Sequence, residues 1–292
     1  MGYQLKVDEK VISISNPDKY LWPNSVTKLD FIKYIYEIAD YMLPYVKNRL
    51  LTTIRYPNGV DDDKSFYQKN VPAHAPEWIT SKNWNGTNYI LPNDKATLVW
   101  LANLAALEMH VSFNYWQSED YPTELVFDLD PSVTDRFDQV LEIALYLNDN
   151  LLQIGLHSIA KTSGATGIQI YIPIKPIYKY EQTRKVAKFI AEYMENKYPK
   201  IITTERLVKQ RGTKLYIDYL QHWRGKTLPA PYSVRARQQP TVSTPVTWEE
   251  VEKGFKPEDF TIFNTIERIE KLGNLFIFKD EHSLDQVLKF IK

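Results

Sequence analysis

The chain has 292 residues, long enough for one large domain or two small ones, and 43 % of them are hydrophobic, enough for a proper core. Its 36 basic residues balance 36 acidic ones, which argues against a surface coated in basic charge for indiscriminate nucleic-acid binding but leaves room for one basic groove. Cysteine is absent, so disulfides and thiolate metal sites are excluded, as expected in a reducing compartment. No apolar run reaches the ~20 residues that span a bilayer, and Met1-Gly2-Tyr3-Gln4-Leu5-Lys6 lacks the apolar core of a signal peptide.

In chain order, residues 10–15 alternate like a strand that Asn16-Pro17-Asp18 breaks. Phe31, Ile32, Ile35, Ile38, Ala39 and Met42 have helical spacing, predicting a helix from Thr27, its N-cap, to about Val46. Residues 50–56 read as a strand closed by the turn Pro57-Asn58-Gly59, and 61–85 as a polar, irregular loop. Residues 98–110 predict a buried helix ending at His110. A strand over 123–130 precedes a helix over about 133–152, then strands at 156–161 and 167–174, antiparallel or parallel, and an amphipathic helix over about 180–197. A strand at 214–220 and short helices at 247–253, 264–272 and 283–291 complete a mixed α/β pattern. Few linkers interrupt it, which points to a single domain over 1–292 with an N-terminal subregion of about 1–97 and a catalytic core of about 98–292.

The chemistry concentrates in Glu124-Leu125-Val126-Phe127-Asp128-Leu129-Asp130-Pro131. Residues two apart on a strand share a face, so Asp128 and Asp130 project together before the proline stops the strand. Aspartates also cap helices and end strands for structural reasons, but two unpaired charges at the end of an apolar strand are costly, and a metal ion relieves that cost. Lys214-Leu215-Tyr216-Ile217-Asp218-Tyr219-Leu220 supplies a third carboxylate. Together these acids suit two oxygen-liganded Mg²⁺ or Mn²⁺ ions that activate a hydroxyl and neutralise a triphosphate.

Between the acids in sequence, Thr162-Ser163-Gly164-Ala165-Thr166-Gly167 is a phosphate cradle or a tight hairpin turn, and no GxxxxGK[ST] loop is present. Lys209, Arg211, Arg224, Lys226, Arg235 and Arg237 cluster around Asp218 in sequence, as phosphate contacts or a solvated face. Lys19 and Lys28 flank Tyr20 and Trp22, and Phe66-Tyr67 lies in the polar loop. Lysines with exposed aromatics can grip a phosphate and stack a base, although aromatics equally fill cores. Of the five histidines, His110 is the one placed near a site.

In order, these segments resemble the polymerase domain of bacterial ligase D, in the archaeo-eukaryotic primase superfamily. The resemblance rests on Asn16-Pro17-Asp18-Lys19-Tyr20-Leu21-Trp22-Pro23, Arg55-Tyr56-Pro57-Asn58-Gly59-Val60, Phe66-Tyr67-Gln68-Lys69-Asn70 and Leu98-Val99-Trp100-Leu101-Ala102-Asn103-Leu104. It continues through Phe127-Asp128-Leu129-Asp130-Pro131, Lys161-Thr162-Ser163-Gly164, Tyr216-Ile217-Asp218-Tyr219-Leu220, Arg224-Gly225-Lys226-Thr227 and Ala230-Pro231-Tyr232-Ser233-Val234-Arg235-Ala236-Arg237. It covers roughly residues 13–250.

The resemblance implies an α/β (α+β) primase-polymerase-like core, with central mixed or antiparallel sheets flanked by helices. It implies a template-directed nucleotidyltransferase that fills short gaps at DNA double-strand breaks with nucleoside triphosphates, ribonucleotides often preferred. Asp128, Asp130 and Asp218 would be catalytic and hold two Mn²⁺ or Mg²⁺ ions. Arg55, His110, Ser163, Gln169, Arg211 and Arg235 would serve the nucleotide, Lys19 and Lys28 a downstream 5′-phosphate, and Phe66 or Tyr67 the template. Implied partners are a 5′-phosphorylated gap or broken DNA end, Ku and a ligase module; the implied location is the bacterial cytoplasm at the nucleoid, with no membrane.

Two departures stand out. Gln169 occupies a position where relatives usually have histidine, and Thr166 one where they often have lysine, which removes up to two positive charges from the triphosphate site. Gln can still donate a hydrogen bond to a phosphate oxygen. The expected consequence is weaker nucleotide binding or slower chemistry. Two alternatives stand beside this reading. One is a non-catalytic 5′-phosphate end-binding module. The other is a haloacid-dehalogenase-like phosphatase, suggested by Val126-Phe127-Asp128-Leu129-Asp130, although Pro131 and Ser132 stand where that motif wants Gly and Thr.

Overall fold

Thr27 starts the first long helix. Its hydroxyl accepts the Asp30 N–H while the Asp30 carboxylate accepts the Thr27 N–H, a reciprocal cap that opens α1 (Lys28–Val46). The apolar positions of the expected helical stripe, Phe31, Ile32, Ile35, Ile38, Ala39 and Met42, are all buried. The computed structural model describes residues 3–62, 64–133 and 136–291.

The chain divides into two compact units. The first comprises the chain up to Ser112 with Thr227–Ser243 and Phe260–Asn274; the second comprises Phe113–Lys226, Thr244–Asp259 and the chain from Leu275 onward. Their larger sheets are built from β1 (Leu51–Arg55), β2 (Phe66–Gln68), β3 (Ala106–Ser112), β4 (Glu124–Asp130), β5 (Ile159–Thr162), β6 (Ile168–Pro173), β7 (Ile202–Thr203), β8 (Leu215–Asp218), β9 (Thr227–Pro229) and β10 (Pro245–Val246).

In the first unit the order β9-β3-β1-β2 is antiparallel throughout, and α1 packs on α2 (Lys95–Asn103). In the second the order is β7-β8-β4-β6-β5-β10, antiparallel except for the parallel pair β7/β8. The helices Phe137–Gln153 and Tyr180–Lys197 pack against this sheet. This is the mixed α/β architecture that the resemblance implies. Leu125, Val126, Phe127 and Leu129 of β4 are all buried, because a central strand is covered on both faces.

Three expectations need correction. Residues 98–110 are not one helix: α2 ends at Asn103, Ala105 takes a positive φ of 54°, and β3 follows. A continuous apolar run fits both the helical and the strand period, and pairing of β3 with β1 and β9 decides for strand. His110 therefore lies within a strand. Residues 61–85 are not all loop: they hold β2 and the strand Ser81–Trp84, which pairs with Thr87–Ile90. Asn85 and Gly86, at φ 49° and 79°, form the tight turn there, the kind of Asn-Gly pair that favours a hairpin. The helix expected from about 133 begins at Phe137; residues 134 and 135 lie outside the described ones. Of the two arrangements open for 156–161 and 167–174, the antiparallel one is found.

Candidate active site

In the second unit, Asp128 on β4 stands directly opposite Asp218 on β8. Opposed residues of an antiparallel pair point to one face, and Asp130, two along from Asp128, shares it. Asp218 comes at the end of its strand. Its Oδ1 accepts the Tyr216 hydroxyl at 3.2 Å and the Gln221 N–H at 2.8 Å. The Arg211 guanidinium stacks 3.8 Å from the centre of the Tyr216 ring and donates to the Glu205 and Arg206 carbonyls.

Asp128 itself is half-buried, but its Oδ1 is closed off from water and has no hydrogen-bond partner among the described residues. Removal from water, and then the charges of Asp130 and Asp218, push its carboxyl well above the usual carboxylate range. A hydrogen bond from Gln169 and the charge of Lys161 offset only part of this. Divalent Mg²⁺ and Mn²⁺ favour oxygen ligands, and an orphaned carboxylate oxygen among three like charges is chemistry that such an ion satisfies. Among the described residues, no three Asp, Glu, His or Cys side chains already converge as a metal cage.

The turn between β5 and β6 is held by its own serine. Ser163 Oγ accepts the N–H groups of Ala165 and Gly167, at 3.1 and 3.0 Å, so those two donors are engaged within the turn. Gly167 is required for a close approach: a Cβ there would meet the Leu129 carbonyl oxygen at 2.3 Å. Gln169 is 1 % exposed, and its Oε1 accepts a hydrogen bond from the Lys161 ammonium on the neighbouring strand.

In the first unit, buried Glu108 organises two expected nucleotide contacts. Its Oε2 lies 2.9 Å from Arg235 Nε and 3.0 Å from His110 Nε2, and its Oε1 accepts the Ala236 N–H. Arg55 donates to the Leu104 carbonyl and Gln68 Oε1, with its guanidinium 5.3 Å from the centre of the Phe66 ring. Phe66 and Tyr67 are adjacent on β2 and both exposed. Lys19 and Lys28 come together, because the Lys28 N–H bonds to the Lys19 carbonyl. Lys19 Nζ reaches Asn58 Oδ1; Lys28 Nζ, buried, reaches Ser15 Oγ and the Asn103 carbonyl. Burial, helped by the Lys19 charge, lowers the Lys28 pKa to about 8.

Glu108 and Lys161 escaped sequence reasoning. Their shared signal is a charged residue inside an apolar strand run, which is rarely buried without a specific partner.

The LigD primase-polymerase domain family matches residues 27–276. The chain belongs to this family. LigD primase-polymerase domains are nucleotidyltransferases of non-homologous end joining proteins. The chain is 43 % identical over 282 residues to the bifunctional non-homologous end joining protein LigD of Bacillus subtilis, which covers 96 % of this chain and 46 % of that protein. It is 33 % identical over 276 residues to the multifunctional LigD of Mycolicibacterium smegmatis, over 90 % of this chain and 35 % of that one. The chain thus spans less than half the length of these relatives. Among solved structures, the polymerase domain of Mycobacterium tuberculosis ligase D in complex with DNA aligns with a TM-score of 0.82 and 31 % identity, covering 95 % of this chain and 98 % of that one. Among the described residues, no helix is long and apolar enough to cross a membrane.

Proposed function

We propose that this chain works as one primase-polymerase domain, a template-directed nucleotidyltransferase that fills short gaps at broken DNA ends from nucleoside triphosphates. The observation that carries this reading is the orphaned Oδ1 of Asp128 beside Asp130 and Asp218 in a member of the LigD primase-polymerase family. Asp128, Asp130 and Asp218 would hold two divalent ions, Mn²⁺ or Mg²⁺. Bound there, such ions would lower the pKa of an attacking 3′-hydroxyl and neutralise charge on the triphosphate.

Arg235 and His110, aimed by Glu108, would meet phosphate oxygens, as would Arg55, Arg211 and Ser163. Gln169 would serve the nucleotide, its amide standing opposite Asp128 on the neighbouring strand. Lys19 and Lys28 would grip a 5′-phosphate, and Phe66 or Tyr67, exposed on β2, would stack on the template. The DNA-bound state of the mycobacterial relative supports DNA as the partner. Ku and a ligase module are further partners in this reading, and the bacterial cytoplasm at the nucleoid is its location. Family membership displaces the phosphatase alternative.

Primer extension on a gapped duplex with a downstream 5′-phosphate tests the proposal, comparing ribo- with deoxynucleotides and Mn²⁺ with Mg²⁺. Template-matched, metal-dependent addition stimulated by the 5′-phosphate is expected. Tight 5′-phosphate-dependent binding without any addition would instead make the chain an end-binding module.

A further inference from the structure

Lys161 is a buried charge that the reaction as proposed leaves unused. It lies in β5 with 0 % exposure, and an ammonium is costly to bury without partners. Its Nζ donates to Gln169 Oε1 at 2.5 Å and sits 5.5 Å from the centre of the Tyr171 ring.

The sheet register gives this contact its direction. Lys161 on β5 opposes Gln169 on β6, Gln169 opposes Asp128 on β4, and Asp128 opposes Asp218 on β8. Directly opposed residues share a face, so the four side chains form one row across four strands. An ammonium carries only donors, so the amide atom facing it must be Oε1. The Gln169 NH₂ then faces the other way, toward Asp128 directly opposite on β4, whose Oδ1 has no hydrogen-bond partner among the described residues. A flipped amide would set an oxygen against the carboxylate and a donor against the ammonium, so Lys161 holds the amide in a single orientation.

We propose that Lys161 is a positioning residue for metal binding: by locking the Gln169 amide it holds Asp128 with Oδ1 presented to the cation. This rests on the reading that Asp128 is a metal ligand. It also gives Gln169 a definite task, which is to orient an acid rather than to touch the triphosphate.

The test is Mn²⁺ binding to the full chain without nucleotide, read at fixed pH from the electron paramagnetic resonance signal of free Mn²⁺. Lys161→Met, Gln169→Leu and the double variant are compared with wild type. Outer-shell partners of metal ligands typically carry 10–100-fold in affinity, so each single variant should weaken Mn²⁺ by roughly tenfold. The double variant should be no weaker than the worse single, because both remove the same lock.

Unchanged or tighter Mn²⁺ binding by Lys161→Met would overturn the proposal, since Lys161 would then act only as a repelling charge. Losses that multiply in the double variant would overturn it equally. Circular dichroism checks folding. If Lys161→Met does not fold, Gln169→Leu alone decides, and unchanged affinity there overturns the lock. Wild type that binds no Mn²⁺, or Asp128→Ala that binds it as well as wild type, would remove the metal reading and this proposal with it. A lock that fails alone leaves wild-type and Asp128→Ala behaviour as the metal reading expects.

Discussion

Glu108 Oε2 lies 2.9 Å from Arg235 Nε, and the same oxygen is 3.0 Å from His110 Nε2. One buried carboxylate thus organises two cationic-type groups proposed to meet a triphosphate. Burial raises the Glu108 pKa, but the His110 hydrogen bond, the charges of Arg235 and His110, and the Ala236 N–H outweigh it, so the net shift is downward.

Glu108→Gln keeps the shape and removes the charge. It should cost about 1–3 kcal/mol of stability at neutral pH, the range for leaving a buried polar partner unsatisfied, and raise KM for the nucleotide more than it lowers kcat. The sign of the pH effect follows from the lowered pKa. Wild type holds the extra stability above the unfolded carboxylate value and loses it as pH falls through the folded value. Thermal melts of both proteins should therefore converge in acid; a constant gap from pH 7 down to pH 3 would contradict the electrostatic account.

Asp128→Asn should abolish primer extension yet stabilise the metal-free protein. The folded carboxyl has a raised pKa, so the native state binds more protons between the unfolded and folded values, and stability falls as pH rises through that window. Asn removes that charge. A gain of about 1 kcal/mol, within the roughly 0.5–2 kcal/mol common for stabilising substitutions, should appear in melts with EDTA at pH 8 and vanish near pH 3. A destabilised Asn variant would identify Asp128 as a structural ion-pair partner instead.

Gly167→Ala should destabilise the second unit by about 1–3 kcal/mol, the usual cost of overpacking. A Cβ would meet the Leu129 carbonyl oxygen at 2.3 Å, and backbone cannot yield as a flexible side chain can. Leu129 lies between Asp128 and Asp130, so extension should fall further than stability alone explains. Calorimetry beside extension rates on the folded variant checks both parts.

Binding to 5′-phosphorylated DNA ends should weaken as pH rises above about 8, where Lys28 loses its proton. The same ends without the phosphate should show a flatter profile. Lys28→Arg stays charged at high pH and should flatten the phosphate-dependent curve if it binds at all, as fluorescence anisotropy across pH 7–9.5 would read. A wild-type profile that is flat over this range would place the 5′-phosphate grip elsewhere.

Much of the local structure was legible. Thr27 reads as an N-cap, the stripe from Phe31 to Met42 has helical period, and Asp128 and Asp130 must share a face on any strand. The strand Ala106–Ser112 was not legible, because Leu98 to His110 is nearly all apolar and such a run fits either period. Asn85-Gly86 carried a readable hairpin signal inside a stretch whose polarity suggested loop.

By itself the sequence determined what neighbouring residues settle among themselves: helix starts, strand alternation, the paired aspartates and the ordered segments that carry the family resemblance. Only the tertiary structure decided that Asp218 opposes Asp128, that Gln169 and Lys161 continue the same row, and that Glu108 joins His110 to Arg235. Register between strands far apart in the chain is chosen by burial of whole faces and by cross-strand pairing, and a shift of one residue would turn every side chain of a strand to the opposite face. No local pattern can encode that choice.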